Sequence, residues 1–501
     1  MPIGPPTDAE IEAIARDFGM HLGPEDVASF KQLAAPFVLA TAALDAAPDE
    51  PHEQRYPRNA GRYPSADENP LGAWYVKTHV AGAERGKLLG KSVVLKDNVM
   101  LAGVPMMNGT RLLEGYVPPV DATIVTRILD AGGAIVGKAV CESFCLSGGS
   151  HTSETGPVRN PHDPTRHAGG SSSGSAVLVA TGEADLAIGC DQGGSIRIPS
   201  SFCGTVGMKA THGLVPSTGI LSMEATIDHA GPITANVADN ALMLEVIAGA
   251  DDLDSRQQVP QVDDYTAALG AGVEGLRIAV LKEGLGQPGF EPEVDEAVCQ
   301  AAKRFAELGA KVGEVSIPEH RSAGALLGPV FQSAIVQMFF TEGMGIGRED
   351  LRVASLADQM RGARDRADEL PDTVKTLLFG TEIIRRRYGW GYYAKAMNQV
   401  RRIRAHYDSR LREVDILLLP TTPMTAPKLP GPGAGRSELV AAAFAPTSNT
   451  QSFNLTHHPA LSIPCGTHAE RPIGLMLIGR AWSEATLYRA AHAFEQSGGA
   501  A

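Results

Sequence analysis

Short apolar runs alternate along the chain with longer stretches that carry apolar residues at helical spacing. Residues 134–136, 186–190 and 277–281 are largely apolar runs of strand length, and residues 122–131 show a helical pattern just before the first of them. Such alternation is typical of the α/β class. The pattern predicts a large mixed, mostly parallel central sheet flanked by helices.

The two ends of this pattern differ from the middle. Residues 8–45 carry apolar positions at helical spacing, such as Ile11 and Phe18, and a Pro- and Arg-containing stretch follows at 48–70. We therefore predict an N-terminal helical appendage and linker in residues 1–70 and a main domain in residues 71–501. A charge-rich helical insertion is predicted at about 326–404. Its Met338 and Phe339 either line a substrate pocket or belong to the core of a helical hairpin.

A strand that ends in a glycine turn is the first candidate site. The run 186–190 leads into Asp191-Gln192-Gly193-Gly194-Ser195, where two glycines permit a sharp turn that presents Ser195. Backbone N–H groups from Gln192 to Ser195 can converge there on an oxyanion. A serine nucleophile needs such donors and a nearby base. The alternative is a plain strand-to-helix turn with a capping serine.

A second Gly/Ser loop occupies residues 169–175, and a helical pattern follows it. Such a loop can cradle a phosphate, which would make the chain a nucleotide-binding module. The Walker pattern, however, needs a lysine after its last glycine, and Gly174 is followed by Ser175. The chain instead has a lysine upstream, Lys96, at the end of a short apolar run. A buried lysine loses its charge readily and can act as a base, although Lys96 could equally be a surface residue or half of an ion pair.

Lys96 and the two serine loops match, in order and spacing, the motifs of the amidase signature family of amide hydrolases. The resemblance covers roughly residues 71–485. Further segments resemble those of the family, namely residues 103–110, 121–134, 154–161, 203–209, 228–232, 418–423 and 453–464. The first loop departs from the usual pattern at Ser173, which replaces a glycine. Glutamine at position 192 resembles the pattern of the bacterial enantioselective amidase branch, and Gln192 is a candidate for a residue that determines substrate specificity.

The resemblance implies the roles of individual residues. It makes Ser195 the nucleophile, Lys96 the base, and Ser171 the bridging serine, in a cis peptide bond with Gly170. The implied oxyanion hole consists of Gln192, Gly193, Gly194 and Ser195, and the candidate substrate-binding residues are Gly170, Gln192, Met338 and Phe339. The mechanism would be a serine-lysine variant of the triad principle. A Ser-His-Asp triad is the alternative, but no histidine is distinguished by its sequence context.

The expected reaction is hydrolysis of the carbon–nitrogen bond of a linear amide through a Ser195 acyl-enzyme, without cofactor or metal. Carbamates, anilides and esters are alternative substrates for the same triad. A second alternative is the glutaminase subunit of a tRNA-dependent amidotransferase, which works with a partner protein. We expect a small-molecule amide or carbamate as ligand, and a homodimer is possible.

Charge and cysteine usage narrow the remaining classes. The net charge is −13, and the one basic cluster, Arg385–Arg387 with Arg401, Arg402 and Arg404, has acidic neighbours, which disfavours nucleic-acid binding. Six scattered cysteines without a CxxC pair indicate neither disulfides nor structural zinc. No run approaches about 18 consecutive apolar residues, so we predict no membrane span and a cytoplasmic location.

Overall fold

The computed structural model describes residues 3–45, 47, 53–287 and 289–499, and divides the chain into two units, residues 1–53 and 54–501. The first unit contains α1 (Asp8–Asp17) and α2 (Pro24–Ala40), both within the stretch of helical spacing. A capping box begins α1, because Thr7 Oγ1 accepts from the Glu10 N–H and the Glu10 carboxylate accepts from the Thr7 N–H. Of the predicted linker, residues 48–52 lie outside the described residues.

The second unit is built on one sheet. Its strands are β1 (Trp74–Val80), β2 (Ser92–Lys96), β3 (Ala134–Ala139), β4 (Leu186–Asp191), β5 (Val206–Lys209), β6 (His229–Thr234), β7 (Arg277–Leu281), β8 (Lys311–Val315), β9 (Ile416–Pro420), β10 (Ala460–His468) and β11 (Arg471–Ile478). Their spatial order is β1-β3-β2-β4-β6-β5-β10-β11-β9-β7-β8. The three strand-like runs of the sequence fall in β3, β4 and β7.

The sheet is mixed, as predicted, but its parallel share is smaller than predicted. Four of the ten neighbouring pairs are parallel, β2–β3, β2–β4, β7–β8 and β7–β9, and the other six are antiparallel. One physical reason is a tight hairpin between β10 and β11, whose two linking residues, Ala469 and Glu470, both have positive φ. Such turns join only antiparallel strands.

Helices cover both faces of this sheet. They are α3 (Thr123–Asp130), α4 (Ser173–Ala180), α5 (Arg197–Cys203), α6 (Val237–Ile247), α7 (Pro292–Glu307), α8 (Ala323–Phe340), α9 (Ala354–Met360), α10 (Asp372–Tyr388), α11 (Gly391–Glu413), α12 (Arg436–Phe444), α13 (Gln451–Thr456) and α14 (Glu484–Gln496). Strands β4, β5, β6 and β9 are buried along their whole length, which explains their continuous apolar character. The predicted helical insertion corresponds to α8 to α11.

Two helical stretches, Pro24–Leu44 and Pro318–Phe340, are long and apolar enough to cross a membrane when judged by length and composition alone. Half of the most apolar window of the second stretch is buried inside the protein, as in the core helix of a globular domain. Among the residues of the first stretch, Leu33 and Phe37 are exposed.

Three histidines form a cluster in the second unit. The His212 and His457 rings stack at 4.2 Å between centroids, and His229 lies 5.2 Å from His212. The rings of His212, His457 and His229 bond the backbone carbonyls of Ala225, Thr226 and Ile227 respectively, and each must therefore donate an N–H. Burial lowers the pKa of all three histidines, that of His212 to about 4.

This cluster makes the protein sensitive to acid. Above pH 6.5 the imidazoles are neutral in both the folded and the unfolded chain, so they cause no pH dependence. Below pH 6.5 only the unfolded chain binds the protons, and the free energy of unfolding falls as the pH decreases toward the folded values. We expect a loss of about 1.4 kcal/mol per pH unit and per histidine. Denaturation at several pH values measures this slope. His212→Gln should reduce the slope by the contribution of one histidine. An unchanged slope in this variant contradicts the prediction.

Candidate active site

Two parallel strands bring the candidate residues to one edge of the sheet. β2 pairs with β4 in parallel, with Leu95 opposite Ile188. Lys96 is the last residue of β2, and Asp191 is the last residue of β4, so the turn that carries Ser195 begins beside Lys96. Carboxyl ends of parallel strands are where α/β proteins place their ligand sites.

The structure brings Lys96 and Ser171 into direct contact. The distance between Lys96 Nζ and Ser171 Oγ is 2.8 Å, and Lys96 Nζ also donates to the Cys190 carbonyl at 3.2 Å. Both side chains are fully buried. The peptide bond between Gly170 and Ser171 is cis. The following residue, Ser172, donates its N–H to the carbonyl of Ser195 at 3.2 Å, which places the two serine loops against each other.

Hydrogen bonds to the sheet hold the Gly/Ser loop in place. Ser172 Oγ donates to the carbonyl of Cys190 and accepts from its N–H, both at 3.2 Å, and Ser175 Oγ donates to the Ile188 carbonyl at 3.0 Å. Ser173, which departs from the family pattern, donates to the Val140 carbonyl at 3.4 Å. Its hydroxyl therefore has an acceptor, and the loop is ordered despite its composition.

A buried ion pair organises the turn that carries Ser195. Asp191 and Arg197 are fully buried, and Arg197 donates to the carboxylate from Nη2 and Nε, at 2.9 and 3.0 Å. Burial raises the pKa of the Asp191 carboxyl, but the charge and hydrogen bonds of Arg197 outweigh it and hold that pKa well below its ordinary value. The same carboxylate accepts from the N–H groups of Gly194 and Ile196, at 2.8 and 2.9 Å.

These hydrogen bonds leave Gly194 out of the predicted oxyanion hole. The Gly194 N–H is committed to Asp191 and is not available to a substrate. The N–H groups of Gln192, Gly193 and Ser195 have no acceptor among the described residues. Sequence reasoning also missed Arg197 as the partner of Asp191, although both stand in the same seven-residue motif, where an acidic and a basic residue flank the glycines.

The pKa of Lys96 depends on its cysteine neighbours. Burial lowers this pKa and is the largest influence on it, whereas negative charge on Cys145, Cys190 and Cys141 raises it above its ordinary value. Burial itself raises the pKa of Cys190 to about 12 and that of Cys141 well above its ordinary value, so neither thiol is charged near pH 7. Of the three thiols, Cys145 is therefore the one whose negative charge can raise the pKa of Lys96 near neutral pH.

Cys145 is the thiol that couples to the triad. Its sulfur donates to Asn108 Oδ1 at 3.2 Å and interacts with the side chains of Lys96 and Ser171. Burial raises its pKa, but the hydrogen bond with Cys141 and the charge of Lys96 lower it to about 7. The charge of Lys96 thus favours the thiolate form of Cys145, and a thiolate at Cys145 in turn favours protonated Lys96.

A mostly apolar cavity of about 220 Å³ opens next to Ser195. Gln192, Gly193 and Ser195 form part of its wall. Its apolar side chains are Leu146, Ile198, Met223, Leu327, Phe331, Leu377 and Phe444. Apolar walls with a few polar groups are typical of sites for small organic ligands. Two of these side chains, Leu327 and Phe331, come from α8.

The structure does not bring Met338 and Phe339 to this cavity. Met338 lines a small neighbouring cavity of about 10 Å³, and Phe339 is buried against the ring of Phe144, 5.8 Å between centroids. Gly170 lies behind Ser171, where its N–H donates to the Gly148 carbonyl at 2.9 Å. Helix α8 thus supplies the pocket, but from residues two and three turns before those predicted.

Comparison with known proteins gives a consistent result. The model of the family described as Amidase matches residues 59–488. An enantioselective amidase of Rhodococcus rhodochrous is 41% identical over 505 residues, which covers 99% of this chain and 96% of that protein.

Two solved structures have the same fold. A glutamyl-tRNA(Gln) amidotransferase subunit from Thermotoga maritima has a TM-score of 0.70 and 30% identity, with 86% of this chain and 92% of that chain covered. The native peptide amidase of Stenotrophomonas maltophilia has a TM-score of 0.67 and 31% identity, with 82% and 83% covered. The Rhodococcus relative also aligns with the N-terminal part of the chain, since 99% of the chain is covered.

The two glycines of the turn should respond differently to substitution. At Gly194, with φ +135°, an added Cβ collides with Thr450 Oγ1 and lies 2.6 Å from Ile198 Cδ1, whereas at Gly193 it finds only Leu327 Cδ2, at 3.9 Å. We expect Gly194→Ala to lower the free energy of unfolding by about 2 kcal/mol, as strained backbone positions do. Thermal denaturation of both variants measures this. Equal melting temperatures for the two variants would contradict the rigid turn described above.

Removal of the Cys145 thiol should change the pH at which Lys96 becomes a base. Cys145→Ala takes away the anion that favours the protonated amine, so the pKa of Lys96 decreases and the acidic limb of the kcat/KM profile moves to lower pH. Cys203→Ala is the matched control, since Cys203 bonds the Ala168 carbonyl and not the triad. An acidic limb at the same pH in wild type and Cys145→Ala would show that the charge of one group does not affect the pKa of the other.

Proposed function

This chain belongs to the amidase family and is a hydrolase of the carbon–nitrogen bond of linear amides, and we propose that Ser195, Ser171 and Lys96 carry out the reaction. The observation that supports this assignment is the 2.8 Å contact between Lys96 Nζ and Ser171 Oγ in a fully buried site beside the Ser195 turn. A serine needs an adjacent base to become a nucleophile at neutral pH.

In the proposed reaction, neutral Lys96 accepts a proton from Ser171 while Ser171 accepts one from Ser195. The Ser195 oxygen then forms a bond to the substrate carbonyl carbon, and the carbonyl oxygen becomes an oxyanion. The free N–H groups of Gln192, Gly193 and Ser195 donate to this oxyanion. The carbon–nitrogen bond breaks as Ser171 gives its proton to the nitrogen and takes one back from protonated Lys96, and an amine or ammonia leaves.

Hydrolysis of the acyl-enzyme uses the same groups in reverse. A water molecule gives a proton to Ser171 and attacks the ester carbonyl, and the Ser195 oxygen recovers a proton as the carboxylic acid leaves. Each proton moves along a relay that begins and ends at Lys96, so no metal or cofactor enters the proposal.

The apolar cavity supports substrates with an aryl or alkyl acyl group. Its wall combines aliphatic and aromatic side chains with few polar ones. A substrate bound there is therefore stabilised mainly by the removal of apolar surface from water. A carbamate presents the same carbonyl to Ser195, and carbamate hydrolysis is therefore a second candidate activity.

Two finer points stay predictions. A homodimer is supported by the exposed apolar side chains of α2, among them Phe30, Leu33 and Phe37, which recur on one side of that helix. The second prediction is the cytoplasmic location. The Thermotoga relative is named as part of an amidotransferase, so we include glutamine among the test substrates below.

The mass of the intact protein after reaction with a fluorophosphonate tests the nucleophile. We expect one adduct on wild type and none on Ser195→Ala, because only the Ser195 oxygen is activated. Lys96→Ala should remain folded and lose at least a hundredfold in labelling rate, since general base catalysis contributes on the order of 10²–10⁴. Equal labelling of wild type and Lys96→Ala would refute the relay.

Turnover of matched substrates then defines the reaction. The set is a phenylacylamide, an aliphatic amide, a p-nitroanilide, an aryl carbamate and glutamine. Preferential turnover of the arylacyl compounds supports the assignment to the apolar cavity. Turnover of glutamine alone, together with copurification of a partner protein, would favour the amidotransferase alternative.

A further inference from the structure

One polar end of the Gln192 side chain has a hydrogen-bond partner, and the other has none among the described residues. Gln192 follows β4, lines the cavity beside Ser195 and is only 4% exposed. Its amide nitrogen, Nε2, donates to Asp228 Oδ1 at 3.0 Å. Its oxygen, Oε1, is buried and has no hydrogen-bond partner among the described residues. A buried acceptor without a donor is costly, so such atoms indicate a missing ligand group.

Asp228 fixes the orientation of the Gln192 amide. The Asp228 carboxylate accepts from Ser222 Oγ at 2.5 Å and from two backbone N–H groups, and Arg256 Nη1 lies 3.7 Å from it. An ionised carboxylate can only accept hydrogen bonds, so it must face the NH₂ end of Gln192. The Oε1 end therefore cannot turn toward Asp228, and the amide cannot flip without breaking this bond.

The sheet places these two residues together. β4 and β6 are antiparallel, with Asp191 opposite His229. Gln192 and Asp228 are the next residues outward on the two strands, so they face each other at the same edge that carries the serine turn. The segment 228–232, which matched the family in sequence, thus reaches the site through Asp228.

We propose that Gln192 Oε1 accepts a hydrogen bond from the N–H of the scissile amide or carbamate, and that Asp228 is the positioning residue that holds Gln192 in this orientation. The inference rests on the proposed function, because it assumes that Ser195 attacks in this cavity. Substrates with an N–H on the leaving side satisfy the buried oxygen. Esters and N-methylated amides leave it unsatisfied and are disfavoured.

Three substrates with one acyl group test this: a p-nitroanilide, its N-methyl derivative and a p-nitrophenyl ester. Gln192→Met keeps the length of the side chain and removes the acceptor. We expect kcat/KM for the anilide to fall about tenfold, the effect of one hydrogen bond to a neutral group, while the other two substrates change less than about threefold. Equal losses for all three substrates would overturn the proposal.

Two further variants separate positioning from general damage. Asp228→Asn can offer an NH₂ group to Gln192, which permits the flipped amide, and it should also lower the anilide-to-ester ratio. Gln332→Met makes the same chemical change at a buried glutamine of α8 that does not line the cavity, and it should leave that ratio as in wild type. A falling ratio in Gln332→Met, or an unchanged ratio in Asp228→Asn, would count against the assignment.

The ester reports separately on the proposed function. If wild type neither hydrolyses the ester nor reacts with a fluorophosphonate at Ser195, the proposed nucleophile is wrong. If it does both and the anilide-to-ester ratio is insensitive to Gln192 and Asp228, only the inference about Gln192 fails. Should Gln192→Met not fold, the ratio measured with Asp228→Asn decides the question.

Discussion

The Asp191–Arg197 ion pair is the interaction on which the active-site turn depends. Arg197 not only bonds Asp191 but also donates to the Thr450 carbonyl and to Asn454 Oδ1. Asn454 in turn donates to the backbone and side chain of Asp191. The turn after β4 is thereby tied to α13 and the residue before it, about 250 residues later in the chain. Loss of one partner would leave an uncompensated buried charge, at a cost of about 3–5 kcal/mol.

The pair also determines which backbone groups remain available. Asp191 uses the N–H groups of Gly194 and Ile196, and Thr450 Oγ1 donates to the Gly193 carbonyl at 2.6 Å. The bonds made by Asp191 and Thr450 fix the peptide planes of this turn. The orientation of the unused N–H groups is therefore set before a substrate binds. In a pre-organised site of this kind, little reorganisation is needed when charge develops on the substrate. The carboxylate therefore helps to orient the N–H groups of the proposed oxyanion hole.

The sequence was informative where function requires particular residue types in a particular order. Lys96, Ser171 and Ser195 could be proposed because their motifs are local and match the amidase signature family in order and spacing. The pocket residues could not be placed in this way. Helix α8 is apolar on most of its surface, with buried residues from Ala323 to Phe339, so no face of it is distinguished by pattern. Which residues reach the cavity depends on how α8 packs against α10, α11 and α13.

The same reasoning explains why Asp228 was not recognised as part of the site. A mostly parallel sheet, as expected from alternating helices and strands, would place the start of each strand at the edge opposite to the end of its neighbours. Because β6 runs antiparallel to β4, the start of β6 lies beside the end of β4. Strand direction is a non-local property that short apolar runs do not reveal. The antiparallel pair is thus the reason that a carboxylate 36 residues after Gln192 can orient its amide.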